Sequence, residues 1–141
     1  LIPGGSAHRP EKRWPAERYG ELAALLAARG IAAVVIGAAA EAGLAATIRA
    51  AVPAALDLTG RTSLGQIAAL ARRAAVVVGN DTGPAHLAAL AGCPTVALFS
   101  ATSDPAKTGP RGAAVRELRS AVLADLEPGP VIAAVEAIAR D

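Results

Sequence analysis

Apolar residues fall along this chain in short continuous blocks: LIP (1–3), IAAVVIG (31–37), the short strand and turn ALDLTG (55–60), AAVVVG (74–79) and PTVALFS (94–100). Between the blocks the apolar residues recur at helical spacing instead. Continuous apolar blocks of this length, rich in valine and isoleucine, predict strands buried on both faces, and the periodic stretches predict the helices that cover them. The first helix is expected over 16–29 (AERYGELAALLAAR), closed by Gly30 as a C-terminal cap. A second runs over 41–52 and is ended by Pro53. A third, LGQIAALARR, has Ser63 as its N-cap and two arginines in its last turn, where they complement the helix dipole.

PAHLAALA (84–91) supplies a fourth helix. VREL (115–118) reads as a weak edge strand after a Pro-, Gly- and Thr-rich loop over 101–112, and Pro128 or Pro130 opens a last helix, VIAAVEAIAR. Strands alternating with helices in this way predict an open α/β domain, a Rossmann-like doubly wound parallel sheet with helices on both faces. No internal repeat or long linker interrupts it.

Composition refines this picture. The 141 residues are one domain's worth, and 53% are hydrophobic with only three aromatics, Trp14, Tyr19 and Phe99, so the core is aliphatic and alanine-rich. A net charge of +2 is too mild to argue for a nucleic-acid partner. Cys93 is the only cysteine, which excludes an internal disulfide and fits a reducing compartment. No apolar run reaches the ~20 residues that a membrane-spanning helix needs. The chain opens at Leu1 inside a strand, and the expectation is a piece of a longer protein.

In an open parallel sheet, ligands bind beyond the carboxyl ends of the strands. Four strand ends here carry polar or glycine-rich corners, all expected on the same edge. At GNDTGPAH, Pro84 fits the first helical position and makes Gly83 the N-cap, leaving the N–H groups of Gly83, Ala85 and His86 facing outward at the positive helix end, an anion site with the Thr82 hydroxyl beside it. The plainer alternative is that Asp81 and Thr82 only cap the helix. GGSAHRPEKRWP (4–15) is neither a Walker A loop nor a GxGxxG fingerprint, but follows a strand with two glycines, Ser6, His8, Arg9, Lys12 and Arg13, a set that can wrap phosphate or can be a solvated basic loop. Trp14 reads as a packing plug. Glu41, at a helix start after the second strand, can accept from a ribose diol or simply favour the helix N-terminus. Lys107 and Arg111 belong to the loop expected to flank the ligand. No Cys/His cluster or carboxylate pair stands at metal-ligand spacing.

These pieces, in this order, resemble glycosyltransferase family 9, the bacterial heptosyltransferases of lipopolysaccharide core assembly. The similarity lies in PGGSAHRPEKRWPAERYGELA, VVIGAAAE, DLTGRTSLGQIAAL, VVVGNDTGPAHLAALAGCPTVALF and TSDPAKTGP, nearly the whole chain. FSATS stands where the family usually has a glycine–proline–threonine turn, and the first loop is longer than common. The resemblance implies the C-terminal half of a two-domain GT-B fold, with residues 1–141 forming the nucleotide-sugar-binding domain and the N-terminal acceptor domain lying outside this chain. Carried over by motif, Lys12 faces the donor phosphates and stabilises the leaving group, Glu41 meets the ribose, and Asp81, Thr82, Gly83 and His86 hold the diphosphate and sugar; Ser6 matches the small polar position of the first loop.

The implied reaction is inverting transfer of a heptose or related sugar, with ADP-heptose the expected donor and a lipid-linked saccharide acceptor held by the other domain, where the general base is also expected. It needs no metal or cofactor. A cytoplasmic setting follows, with the full-length protein working at the inner-membrane surface and this chain alone inactive. Two other readings share the fold: a sugar-nucleotide epimerase domain, which would need more acid and base groups at the cleft, and a non-catalytic nucleotide-binding module.

Overall fold

The structure, a computed structural model, describes residues 1–140. Five parallel strands are present among them: β1 (Val34–Val35), β2 (Leu56–Asp57), β3 (Val77–Asn80), β4 (Thr95–Phe99) and β5 (Val115–Arg119). β1 pairs with β2, and β3, β4 and β5 pair in that order. The N-terminal segment Leu1–Pro3 joins the two groups. The Ile2 amide donates to Val78 O and its carbonyl accepts from the Asn80 amide, while Leu1 O accepts from the Ile36 amide on the other side. The strand order across the sheet is therefore β2, β1, the N-terminal segment, β3, β4, β5, and the reversal needed for a ligand crevice falls beside Leu1–Pro3.

Both faces are covered, as the unbroken apolar blocks require. The helices α1 (Ala16–Ala27), α2 (Ala42–Ala51) and α6 (Pro128–Arg140) lie on one face over Val35, Val78, Val96 and Leu98. On the opposite face α3 (Leu64–Arg73) and α4 (Gly83–Leu90) bring Ala71, Ala85 and Ala88 against Ile2 and Val77. Successive residues of one strand, Val77 and Val78, thus serve different cores. Trp14 and Tyr19 are fully buried in the larger one, their rings 4.8 Å apart at 71°, an edge-to-face pair. The packing role expected of Trp14 is what the structure shows.

Local signals acted as their chemistry dictates. Gly30, at φ +73°, takes the left-handed turn that closes α1, with its amide on Ala27 O and that of Ile31 on Leu26 O. The Ser63 hydroxyl accepts from the Gln66 amide and the Gln66 side chain accepts from the Ser63 amide, a complete capping box.

Three boundaries differ from expectation. The helix expected from Glu41 begins as a 3-10 turn over Ala39–Glu41, and α2 starts at Ala42, because the Glu41 carboxylate turns back to bond the Ala38 amide. The N-cap of α4 is Thr82, not Gly83. Thr82 is extended (φ −143°, ψ 160°), Gly83 is the first helical residue and Pro84 the second, where a missing N–H is equally harmless because the first turn has no intrahelical acceptors. The loop over 101–112 contains a short helix, α5 (Pro105–Thr108), capped by the Asp104 carboxylate accepting from the Ala106 amide. No helix of the described residues is long and apolar enough to cross a membrane.

Candidate functional site

A cleft of about 560 Å³ opens at the carboxyl edge of the sheet. Gly4–Ala7 and Arg13 of the first loop form one side, Gly37, Ala38 and Glu41 of the β1–α2 corner another, and Asp81–Pro84 of the β3–α4 corner the third; Thr62 adds to the rim. Three of the four expected corners therefore meet around one space. The fourth, the loop over 101–112, touches it at one point, where Thr108 Oγ1 donates to Asp81 Oδ2 at 3.4 Å. A second hollow of about 330 Å³ lies at the amino ends of the strands, between Ala32–Val34 and Val76–Val78, and is lined almost wholly by apolar groups. It offers a charged ligand little; the polar cleft is the candidate site.

Asn80 explains how the corners stay together. It ends an apolar strand and is completely buried. Its Oδ1 accepts from the Trp14 amide (3.1 Å) and the Tyr19 hydroxyl (2.9 Å), and its Nδ2 donates to Pro3 O and Gly4 O, both at 2.9 Å. One side chain thus anchors both ends of the first loop to the base of β3. Trp14 holds the loop's far side by donating its indole N–H to Leu126 O. Burial pushes the Tyr19 phenol well above its ordinary pKa of 10.0, with the Asn80 contact pulling the other way.

Glu41 makes the second junction. Its Oε2 accepts from the Gly5 amide at 3.1 Å and its Oε1 from the Ala38 amide at 2.8 Å, with Arg13 Nη2 3.8 Å away. The approach is possible only because residue 4 is glycine: a Cβ there would lie 1.7 Å from Glu41 Oε2. The carboxylate lines the cleft while held by backbone donors from two corners, and its oxygens retain lone pairs for a further donor.

At the third corner Asp81 bridges His86 Nε2 (3.0 Å) and Thr108. A carboxylate only accepts, so Nε2 carries the proton and Nδ1 remains for another partner. At the start of α4 the His86 amide is already used, donating to Thr82 O, which corrects the expectation that it faces outward. Gly83 is exposed and lines the cleft, whereas Ala85 is fully buried and does not line it, which corrects the expectation that its amide faces outward; among the described residues no acceptor is found for either amide. Thr82 Oγ1 is buried, caps no amide and has no hydrogen-bond partner among the described residues.

The remaining expected residues fall outside this core. Ser6 is exposed on the cleft rim. Lys12, half-buried in a 3-10 turn over Pro10–Lys12, is not among the lining residues, and its ammonium has no protein partner among those described. His8, Lys107 and Arg111 are exposed and do not line the cleft, and Arg9 pairs with Glu11 at the surface. No metal-binding cluster is found among the described residues. Sequence reasoning gave no structural role to Asn80, Arg13 or Thr108. The signal for Asn80 was a single amide at the end of a strand otherwise without polar residues.

Against known proteins, the sequence model of "Glycosyltransferase family 9 (heptosyltransferase)" matches residues 1–128. A lipooligosaccharide heptosyltransferase 2 of Haemophilus influenzae is 36% identical over 104 residues, 70% of this chain and 30% of the relative. The structure of E. coli ADP-heptose lps heptosyltransferase II superposes with a TM-score of 0.90 and 30% identity, over 99% of this chain and 45% of that one. E. coli heptosyltransferase WaaC, solved with ADP, gives 0.86 and 28% over 97% of this chain and 43% of its own.

Proposed function

The chain belongs to glycosyltransferase family 9 and has the fold of one half of its GT-B enzymes, and from that premise we propose that it is the C-terminal, donor-binding half of an inverting transferase. Its donor is a nucleoside-diphosphate sugar, ADP-heptose, and its acceptor a lipopolysaccharide core saccharide presented by the other domain. The chain spans 30% of the curated relative and 45% of the solved heptosyltransferase II, so acceptor and general base are assigned to the part it does not cover. A solved relative that carries ADP supports the choice of base.

The observation that carries this reading is the convergence of uncommitted donors at the start of α4 with a backbone-held carboxylate across the same cleft. Departure of the nucleoside diphosphate builds negative charge on its terminal phosphate. The Gly83 amide, fixed at the positive end of α4, and the Thr82 hydroxyl meet that charge without reorganising, so they stabilise the transition state more than the ground state. Lys12 adds a cation from the first loop. Glu41 takes the ribose diol, Ser6 closes the rim, and Asp81, with His86 on one oxygen and Thr108 on the other, faces the sugar. Neither metal nor cofactor enters the scheme.

A thermal-shift panel of ADP, UDP, GDP, CMP and inorganic phosphate tests it. Selective stabilisation by ADP is expected; stabilisation by UDP alone, or by none of the nucleotides, contradicts the assignment. Lys12→Ala should weaken ADP binding by about 1 kcal/mol or less, the scale of a charge beside the cleft and not of a direct hydrogen bond. Transfer of sugar by this chain without the other domain would refute the division of labour.

A further inference from the structure

Of the three buried side-chain polar atoms without a partner among the described residues, two belong to residues that border Gly5: Arg13 Nε and Thr82 Oγ1. A Cβ built on Gly5 would lie 3.6 Å from Arg13 Cγ, 3.8 Å from Arg13 Nε and 3.6 Å from Thr82 Cγ2, so both side chains border the space left by the missing side chain of Gly5. Both residues line the cleft. Such unmet donors are costly in a folded protein and ask for an acceptor.

Arg13 is poorly used by the protein itself. Its Nη2 donates to Gly5 O at 2.5 Å, and the Glu41 carboxylate at 3.8 Å is too far for a hydrogen bond because Gly5 and Ala38 amides already hold it. The rest of the planar fork, suited to two oxygens of one anion, has no acceptor among the described residues. The half-buried lysine next to it, Lys12, does not line the cleft. The amide at the start of α4 and the Thr82 hydroxyl close by are unmet as well, and an anion with several oxygens would satisfy all of them together.

We propose that Arg13 is a diphosphate-binding residue of the donor site: its guanidinium, turning from Gly5 toward the cleft, and the Thr82 hydroxyl hold the phosphates together beside Gly5. This rests on the donor reading above and adds to it a residue acting on the phosphates from inside the cleft. Arginine, always charged and bidentate, binds a dianion that departs whole, where Lys12, outside the lining, contributes charge without fixing geometry.

Calorimetric titration with ADP, AMP and adenosine of the wild type, Arg13→Gln and Arg13→Lys separates the possibilities, with thermal unfolding as the check on folding. Arg13→Gln should lower ADP affinity about tenfold or more, the scale of a lost charge-assisted hydrogen bond, and leave adenosine affinity unchanged; Arg13→Lys should recover part of the loss. Equal losses for ADP and adenosine would make Arg13 a mere prop for Glu41 and overturn the proposal, as would unchanged ADP affinity in Arg13→Gln. A wild type that does not bind ADP at all refutes the donor reading itself, a result distinguishable from either of these. If Arg13→Gln fails to fold, the Arg13→Lys titration decides alone: an ADP affinity equal to wild type overturns the bidentate grip.

Discussion

Replacing Asn80 with alanine removes four hydrogen bonds from one buried point. The Trp14 amide, the Tyr19 hydroxyl and the carbonyls of Pro3 and Gly4 all lose their partner together. At a net worth of about 1 kcal/mol each, the direct loss is about 4 kcal/mol, and partial entry of water into the space left would trim it to about 3. Against the roughly 7–20 kcal/mol that a domain of this length commands, that is a large fraction. The midpoint of thermal unfolding should fall by about 10–20 °C. Urea titration followed by the fluorescence of Trp14, the only tryptophan, reads the change where it occurs. The isosteric Asn80→Asp is the sharper control. It keeps the acceptor for Trp14 and Tyr19 but sets a carboxylate oxygen against two carbonyl oxygens that Nδ2 now meets at 2.9 Å. It should be at least as unstable as the alanine variant at neutral pH and regain stability on acidification, as the protonated carboxyl donates to one of them. A loss below about 1 kcal/mol for Asn80→Ala would refute the reasoning that this side chain organises the cleft, since no buried amide with four partners should be that cheap.

Two other outcomes follow from the same geometry. Gly4→Ala places a methyl on Glu41 Oε2 and should drive the carboxylate off the Gly5 amide; the expected cost is about 1–3 kcal/mol in urea unfolding, together with weakened adenosine binding by calorimetry. Tyr19, the sole tyrosine, has its folded-state pKa raised by burial. Its contribution is therefore intact below the unfolded value near 10 and is lost as pH rises above it, so phenolate absorbance should appear only with unfolding, and Tyr19→Phe should remove that part of the alkaline instability.

Much of the fold was legible because periodicity and punctuation agreed. Ser63 with Gln66, Gly30, and the apolar blocks at 74–79 and 94–100 each acted on local rules that tertiary packing had no reason to override. The last strand was longer than its sequence suggested, since Val115–Arg119 is an edge strand whose charged residues hide the pairing with β4. The short helix at Pro105–Thr108 was missed within a loop where Asp104-Pro105 was its only sign. At the site, the corners converged as the strand-end rule requires. What stayed hidden was how side chains divide between holding the cleft and facing it. Glu41 and Asp81 each spend bonds on the protein, Asn80 spends all of its own, and Arg13 keeps donors unspent. Those assignments depend on contacts between residues far apart in sequence, such as Asn80 with Gly4, which no local pattern encodes.

The most direct test of the central claim, that the start of α4 with its flanking corners receives a nucleoside diphosphate, is to follow the backbone amide resonances by NMR as ADP is added. The account predicts the largest shifts at Gly5, Thr82 and Gly83, absent with adenosine alone. Shifts confined to the apolar hollow around Ala75–Val77, or none at all at saturating ADP, would contradict it.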